Sequence, residues 1–178
     1  MLTSPFIRAK MRATMDKLEA VVGRMLAERK LTLAVAESCT GGLLGNRITD
    51  VPGSSEYFEG GIIAYSYEAK ERLLSVHHST LYQRGAVSAE TALEMARGAR
   101  TALGTDIGLS VTGIAGPGGG FPGKPVGLVY IALSARNTER VERFVWDSDR
   151  EGNKALSVDA ALAMLKEYLE RSAAGVSS

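Results

Sequence analysis

A hydroxyl, a phenol and an amine that could hydrolyse an amide lie within one short stretch of this chain. Segment 36–42 reads Ala-Glu-Ser-Cys-Thr-Gly-Gly, and Ser55, Tyr65 and Lys70 follow it. Amide hydrolysis needs a nucleophile, a base that takes its proton, and donors for the oxyanion. Ser55, Lys70 and Tyr65 could fill those roles, provided that burial or nearby cations lower the lysine pKa from about 10.4 toward neutrality. The stretch therefore favours a serine-type amide hydrolase.

Other catalytic groups are scarce in the sequence. There is one cysteine, Cys39, and the only histidines are the adjacent pair His77 and His78. Cys39 stays open as an alternative nucleophile, because a helix predicted to begin after the glycine pair would stabilise its thiolate. Adjacent histidine rings would face different ways, so they do not predict a metal site. We expect no metal and no cofactor.

Length and composition predict one compact domain in the cytoplasm. The chain has 178 residues, of which 45% are hydrophobic, and its 21 Lys and Arg nearly balance 20 Asp and Glu. Such a balance lacks the positive field that gathers nucleic acid. A single cysteine cannot form an internal disulfide, and no stretch resembles a signal peptide or a membrane span. We expect a loose N-terminal extension over 1–10, the domain over 11–172 and a flexible tail over 173–178.

Helical and strand patterns alternate, which predicts a single three-layer α/β/α domain with a mixed sheet that has a partly antiparallel edge. Gly60 and Gly61 predict a backbone irregularity in the second strand. The segment 113–125 is too rich in glycine and proline for a helix or strand, so a functional or mobile loop is expected. Helices are predicted over 11–30, 43–49, 67–74, 92–103 and 150–171, and strands over 31–36, 58–66, 107–112, 126–134 and 141–146.

Several residues lie where open α/β sheets collect ligand groups, at the ends of predicted strands. The residues that follow the first predicted strand could equally be helix caps, and the glycine pair Gly41 and Gly42 could present backbone amides to a phosphate. The glycine spacing matches neither a dinucleotide fingerprint nor a P-loop. These candidate substrate contacts are Glu37, Ser38, Thr40, Gly41, Gly42, Thr112 and Gly113.

Six segments, in order, resemble the CinA C-terminal domain family, which contains the nicotinamide-nucleotide amidases. They are 36–42, 52–55, 61–70, 85–88, 112–117 and 124–127. The resemblance implies hydrolysis of the carboxamide of nicotinamide mononucleotide, which gives nicotinate mononucleotide and ammonia in pyridine-nucleotide salvage. It also implies Ser55 as the nucleophile, Lys70 as the base and Tyr65 as a proton relay. The choice of Ser55 over Ser54 rests on the family register alone.

The same resemblance implies a homodimer and makes Arg150 a candidate phosphate contact, although Arg150 could simply begin the last helix. Ser148 stands where the family carries glycine, and Lys154 where relatives often carry arginine. These departures leave two alternatives open. One is an amidase for another carboxamide, and the other is a nucleotide-binding module without turnover.

Overall fold

The computed structural model describes residues 17–174 and forms three layers, with a five-stranded mixed sheet between two layers of helices. The predicted fold class is confirmed. The proposed extension over 1–10, the start of the first predicted helix and the last residues of the tail lie outside the described part. The helices are α1 Leu18–Arg29, α2 Leu43–Thr49, α3 Tyr67–Leu74, α4 His78–Arg84, α5 Ala89–Leu103 and α6 Arg150–Ala174. The strands are β1 Leu33–Glu37, β2 Phe58–Ile63, β3 Ile107–Gly113, β4 Leu128–Ala135 and β5 Thr138–Val145.

The sheet has the order β2-β1-β3-β4-β5, with a parallel half and an antiparallel half. Strand β1 pairs parallel to β2 and β3, while β4 and β5 continue antiparallel as a hairpin. Glu37 ends β1 opposite Ile63 of β2 and Val111 of β3. The carboxyl ends of these three strands therefore meet at one edge of the sheet, where α/β proteins place ligand sites.

Each face of the sheet is covered by helices that fit its side chains. Helices α1, α2 and α6 cover the face that carries Leu33, Val35 and Leu109. Helices α3, α4 and α5 cover the other face, where β1 offers only the small residues Ala34 and Ala36. Helix α5 approaches β3 so closely that a Cβ on Gly108 would lie 2.0 Å from the Ala96 carbonyl oxygen. This contact requires glycine at position 108.

The observed elements differ from the predicted ones at a few boundaries. The predicted irregularity near Gly60 is present, as a register shift between β1 and β2. Strand β2 stops at Ile63 rather than 66, because Ser66 caps α3 by accepting a hydrogen bond from the Ala69 amide at 3.0 Å. Only two residues join β4 to β5, whereas the sequence predicted a longer connection. The prediction missed the start of β5 because its first residues are polar and lie on an exposed edge strand, so they show no apolar alternation. Helix α4, which contains His78, was not predicted.

Candidate active site

A cleft of about 270 Å³ opens at the carboxyl edge of the parallel strands. The turn after β1, the end of β3 and the start of α6 form parts of its wall. The glycine-rich loop that follows β3 forms another part. The lining residues predicted from the sequence are Ser38, Tyr65, Lys70, Thr112, Gly113 and Arg150.

Ser38 and Lys70 form a hydrogen-bonded pair at the base of the cleft. Lys70 is 1% exposed, and its Nζ donates to Ser38 Oγ at 3.0 Å and to the Ala64 carbonyl oxygen at 2.7 Å. The Ser38 amide donates to the Val111 carbonyl oxygen at 2.9 Å, which ties the turn after β1 to β3. Strands β1 and β3 thus hold Ser38, and helix α3 holds Lys70, so the pair is fixed without a ligand.

Burial shifts the pKa values of two side chains in the cleft, Lys70 as the candidate base and Cys39 as the alternative nucleophile. It lowers the pKa of Lys70 from 10.5 to about 8, because a buried ammonium loses its hydration. Burial also raises the pKa of the Cys39 thiol to about 11. Near neutral pH the lysine can therefore reach its neutral, proton-accepting form, whereas Cys39 stays a thiol. This arrangement favours serine over cysteine as the nucleophile.

Tyr65 and Arg150 meet at the mouth of the cleft. Tyr65 is 61% exposed, and its hydroxyl oxygen accepts a hydrogen bond from Arg150 Nη2 at 3.0 Å. Arg150 Nη1 donates to the Gly116 carbonyl oxygen at 2.7 Å. The phenol thus lines the same cleft as the Ser38 and Lys70 pair, and the guanidinium of Arg150 donates to its oxygen.

Ser55, which the resemblance implies as the nucleophile, lies away from this cleft. Residues Ser54–Glu56 form a single 3₁₀ turn before β2, and Ser55 is exposed there. Because β1 and β2 are parallel, that turn lies at the amino edge of the sheet. The length of β2 separates it from the cleft, roughly 16 Å for a strand of this length. Ser54 shares this turn, and neither serine lines the cleft that contains Lys70.

Glu37 caps helix α2, which corrects its assignment as a substrate contact. Its carboxylate is 2% exposed and accepts hydrogen bonds from the amides of Gly42, Leu44 and Gly45, at 3.0, 3.1 and 2.8 Å. The Gly41 amide donates to the Ser38 carbonyl oxygen. The amides that were expected to hold a phosphate therefore already have acceptors within the protein.

The remaining predicted contacts divide between the cleft and the interior. Thr112 and Gly113 line the cleft, but the Thr112 hydroxyl donates to the Ala86 carbonyl oxygen at 2.7 Å. Thr40 is fully buried and does not line the cleft. No group of three or more His, Cys, Asp and Glu side chains within residues 17–174 is arranged to hold a metal ion.

Two parts of the cleft surroundings escaped prediction. Ala86 and Val87, from the connection before α5, line one wall. Lys154 lies one turn beyond Arg150 on α6, with its Nζ 4.0 Å from the position that a Cβ on Gly41 would occupy. The spacing of Arg150 and Lys154, four residues apart, could have indicated a shared helix face. The approach of that face to the β1 turn is a tertiary feature that no local pattern reveals.

Fold and site together define a three-layer α/β protein whose cleft holds a serine hydrogen-bonded to a buried lysine. The family model described as CinA C-terminal domain matches residues 15–169. The chain belongs to this family.

Relatives share both the sequence and the fold. A putative competence-damage inducible protein of Moorella thermoacetica is 56% identical over 150 residues, which cover 84% of this chain and 36% of that protein. A CinA-like protein of Citrifermentans bemidjiense is 51% identical over 166 residues, covering 93% and 39% respectively. The chain thus spans well under half the length of these curated relatives.

Solved structures of similar proteins superpose closely. A CinA superfamily protein of Klebsiella pneumoniae gives a TM-score of 0.84 at 36% identity, covering 86% of this chain and 96% of that one. A competence/damage inducible protein of Agrobacterium tumefaciens gives 0.81 at 39% identity, covering 88% and 96%. The compared chains are nearly fully covered, so the similarity extends to the whole α/β unit.

Proposed function

We propose that this chain is a nicotinamide-nucleotide amidase in which Ser38 is the nucleophile and Lys70 the base. The observation that carries the proposal is the 3.0 Å contact between Lys70 Nζ and Ser38 Oγ, with a lysine whose pKa burial lowers to about 8. A general base must reach the proton that it abstracts and must titrate near the working pH. Lys70 meets both requirements.

In the proposed reaction, neutral Lys70 accepts the Ser38 proton as Oγ attacks the carboxamide carbon. The tetrahedral intermediate then breaks its C–N bond, the nitrogen takes a proton through Tyr65, and ammonia leaves. Ser38 now carries the acyl group of nicotinate mononucleotide as an ester, with the ribose phosphate still on the ring nitrogen. Water, deprotonated by the same lysine, attacks that ester and releases nicotinate mononucleotide, which restores Ser38.

The choice of nicotinamide mononucleotide rests on the family and on the surroundings of the cleft. The backbone of Gly118 and Gly119 lines one wall without side chains, which leaves room for a flat ring. Lys154 brings an ammonium group to the turn after β1, where it can pair with a phosphate. Its ammonium is a flexible point charge, which can pair with a phosphate without a fixed two-pronged geometry.

The test is ammonia release from nicotinamide mononucleotide by purified wild-type protein, Ser38→Ala and Ser55→Ala, with no metal added. We expect turnover by the wild type and by Ser55→Ala, and a loss of at least about a thousandfold in Ser38→Ala, as for removal of a covalent nucleophile. Ser55→Ala is the matched control, because it removes the same hydroxyl from the opposite edge of the sheet. Equal losses in both variants would contradict the assignment.

Cys39→Ala decides between the two neighbouring nucleophiles. Because burial raises the pKa of its thiol to about 11, the variant should keep most of the wild-type kcat. Loss of turnover in Cys39→Ala with turnover kept in Ser38→Ala would move the nucleophile to the cysteine.

The alternatives have different outcomes in the same assay. A binding module would be stabilised thermally by nicotinamide mononucleotide and release no ammonia, whereas an amidase for another carboxamide would show turnover only with that compound. The proposal also includes a homodimer in the cytoplasm. Sedimentation of the purified protein tests the dimer, and fractionation of the source cells tests the location.

A further inference from the structure

Arg150 joins three segments that surround the mouth of the cleft. It is the first residue of α6, and one guanidinium nitrogen donates to Gly116 in the glycine-rich loop. The other terminal nitrogen donates to the hydroxyl of Tyr65, which lies between β2 and α3. One side chain thus fixes the distance between the loop and the phenol.

The chemistry of these groups sets the direction of each hydrogen bond. A guanidinium carries only N–H donors, so the Tyr65 oxygen must be the acceptor. The Tyr65 hydrogen therefore points away from Arg150 and is available to another acceptor. A positive charge at this distance also stabilises negative charge on the phenol oxygen when that hydrogen leaves.

We propose that Arg150 is a positioning residue that aims the Tyr65 hydroxyl at the leaving nitrogen of the substrate. The inference rests on the amidase proposed above. As the C–N bond breaks, its electron pair stays on nitrogen and takes the Tyr65 proton, so ammonia forms. The Lys70 ammonium, which holds the proton from Ser38, returns a proton to the phenolate. One proton thereby passes from Ser38 to ammonia, and Arg150 itself neither gains nor loses one.

This role differs from the phosphate contact that the sequence indicated for Arg150. Both terminal nitrogens already donate to protein oxygens, and that two-pronged geometry is one that lysine cannot reproduce. A phosphate contact requires mainly positive charge, which Lys154 provides one turn further along α6. Replacing Arg150 should therefore change the reaction rate, whereas replacing Lys154 should change the affinity for the substrate.

The first experiment measures kcat and KM for ammonia release from nicotinamide mononucleotide. We expect Arg150→Met and Arg150→Lys both to lower kcat by about tenfold or more with little change in KM. Lys154→Met should mainly raise KM, and Arg143→Met, which removes an exposed arginine from β5, should change neither constant. Recovery of kcat by Arg150→Lys, or an effect of Arg150→Met on KM alone, would overturn the positioning role.

A double-mutant cycle separates positioning from a general loss of structure. If Arg150 acts through Tyr65, adding Arg150→Met to Tyr65→Phe should lower kcat little further. Tyr65→Phe alone should lower kcat about a hundredfold, as for removal of a proton donor. Fully additive losses would show that Arg150 acts independently of the phenol and would overturn the inference.

Hydrogen exchange of segment 113–125 provides a readout that needs no turnover. Loss of the contact to Gly116 in Arg150→Met should accelerate exchange there by about fivefold, the effect of one hydrogen bond, while Arg143→Met leaves it unchanged. If the wild type releases no ammonia and exchange still accelerates, the amidase proposal fails while the anchoring of the loop stands. Unchanged exchange in Arg150→Met would overturn the anchoring.

Discussion

Lys70 owes its chemistry to where it is buried. Its Nζ lies inside the protein with two oxygen partners and no carboxylate among its hydrogen-bond acceptors, Ser38 Oγ and the Ala64 carbonyl oxygen. The desolvated ammonium is disfavoured, and the pKa of Lys70 falls to about 8. A lysine with this pKa is a usable base slightly above neutral pH, where an exposed lysine would remain charged.

The pH dependence of kcat/KM should follow the titration of Lys70. Between pH 7 and 10 the substrate phosphate is already a dianion, since its second pKa is about 6. We therefore expect kcat/KM to rise with pH along an apparent pKa near 8 and then level off, because only neutral lysine accepts the serine proton. The measurement is a pH–rate profile with nicotinamide mononucleotide.

Cys39→Ala provides the control for that profile. Because the pKa of its thiol lies near 11, its removal should leave the rise near pH 8 in place. A flat profile, or a rise that disappears with Cys39, would contradict the assignment of Lys70 as the base.

At this scale the sequence named several residues that line the cleft, but it paired Lys70 with Ser55, whereas the structure places Ser38 beside Lys70. Tyr65, Lys70 and Ser38 were all named as site residues, with Ser38 as a ligand contact. Choosing Ser38 as the partner of Lys70 requires knowing that β1 and β2 run parallel, so that the turns before and after β2 lie at opposite edges. Burial of Lys70 is equally a property of the packed molecule, which no local sequence pattern reveals.

At the scale of elements, the site depends on the turn that connects β1 to α2. The Glu37 carboxylate accepts three backbone amides at the start of α2, which fixes the turn that carries Ser38. Both carboxylate oxygens are used, because Oε2 accepts from Gly42 and Leu44 while Oε1 accepts from Gly45. Glu37 therefore holds the turn that carries Ser38, the proposed nucleophile, and its own carboxylate oxygens are occupied by backbone amides.

Glu37→Gln should weaken both the fold and the reaction. A glutamine amide directs its NH₂ group at a backbone N–H that needs an acceptor, which we expect to reduce the free energy of unfolding by about 2 kcal/mol. Displacement of Ser38 should also lower kcat by roughly tenfold or more. Urea unfolding and steady-state kinetics measure the two effects.

Glu59→Gln is the control for this substitution. Glu59 is an exposed glutamate on β2, so the change should alter neither the free energy of unfolding nor kcat. If Glu37→Gln behaved in the same way, the proposed support of Ser38 would be wrong.

Most elements were predictable, since β1, α2, α3 and α5 carry clear apolar patterns or caps. Ser88 accepts a hydrogen bond from the Thr91 amide at 3.2 Å and so caps the start of α5. Helix α4 was missed because it buries Leu81 alone and so shows no apolar spacing, whereas α2, of the same length, buries Leu44 and Ile48 four residues apart. The capping role of Glu37 was missed because the amides that donate to its carboxylate come from residues that only the folded turn brings together.

At the scale of the whole molecule, the two halves of the sheet have different tasks. The parallel strands β1, β2 and β3 end at the cleft, and the antiparallel hairpin of β4 and β5 extends the sheet on the other side. No helix within residues 17–174 combines the length and the apolar character needed to cross a bilayer. Among residues 17–174, Lys70 is the largest fully buried side chain, so the interior contains a group that is costly to bury.

Replacing this lysine should therefore change how stability depends on pH. Wild-type Lys70 has a pKa of about 8 when folded and 10.5 as its ordinary value, so between these pH values the unfolded chain binds more protons. The free energy of unfolding of the wild type should then rise with pH across this window, by about 3 kcal/mol in total, relative to Lys70→Met. Below pH 8 this gain is absent, and the methionine variant has its greatest relative stability there, at the cost of activity.

Urea unfolding of both proteins at pH 7, 9 and 10.5 measures the difference, with Lys166→Met, which removes a partly exposed lysine of α6, as control. A stability difference between wild type and Lys70→Met that does not change with pH would mean that Lys70 is not desolvated in the folded protein, and the proposed base would lose its physical foundation.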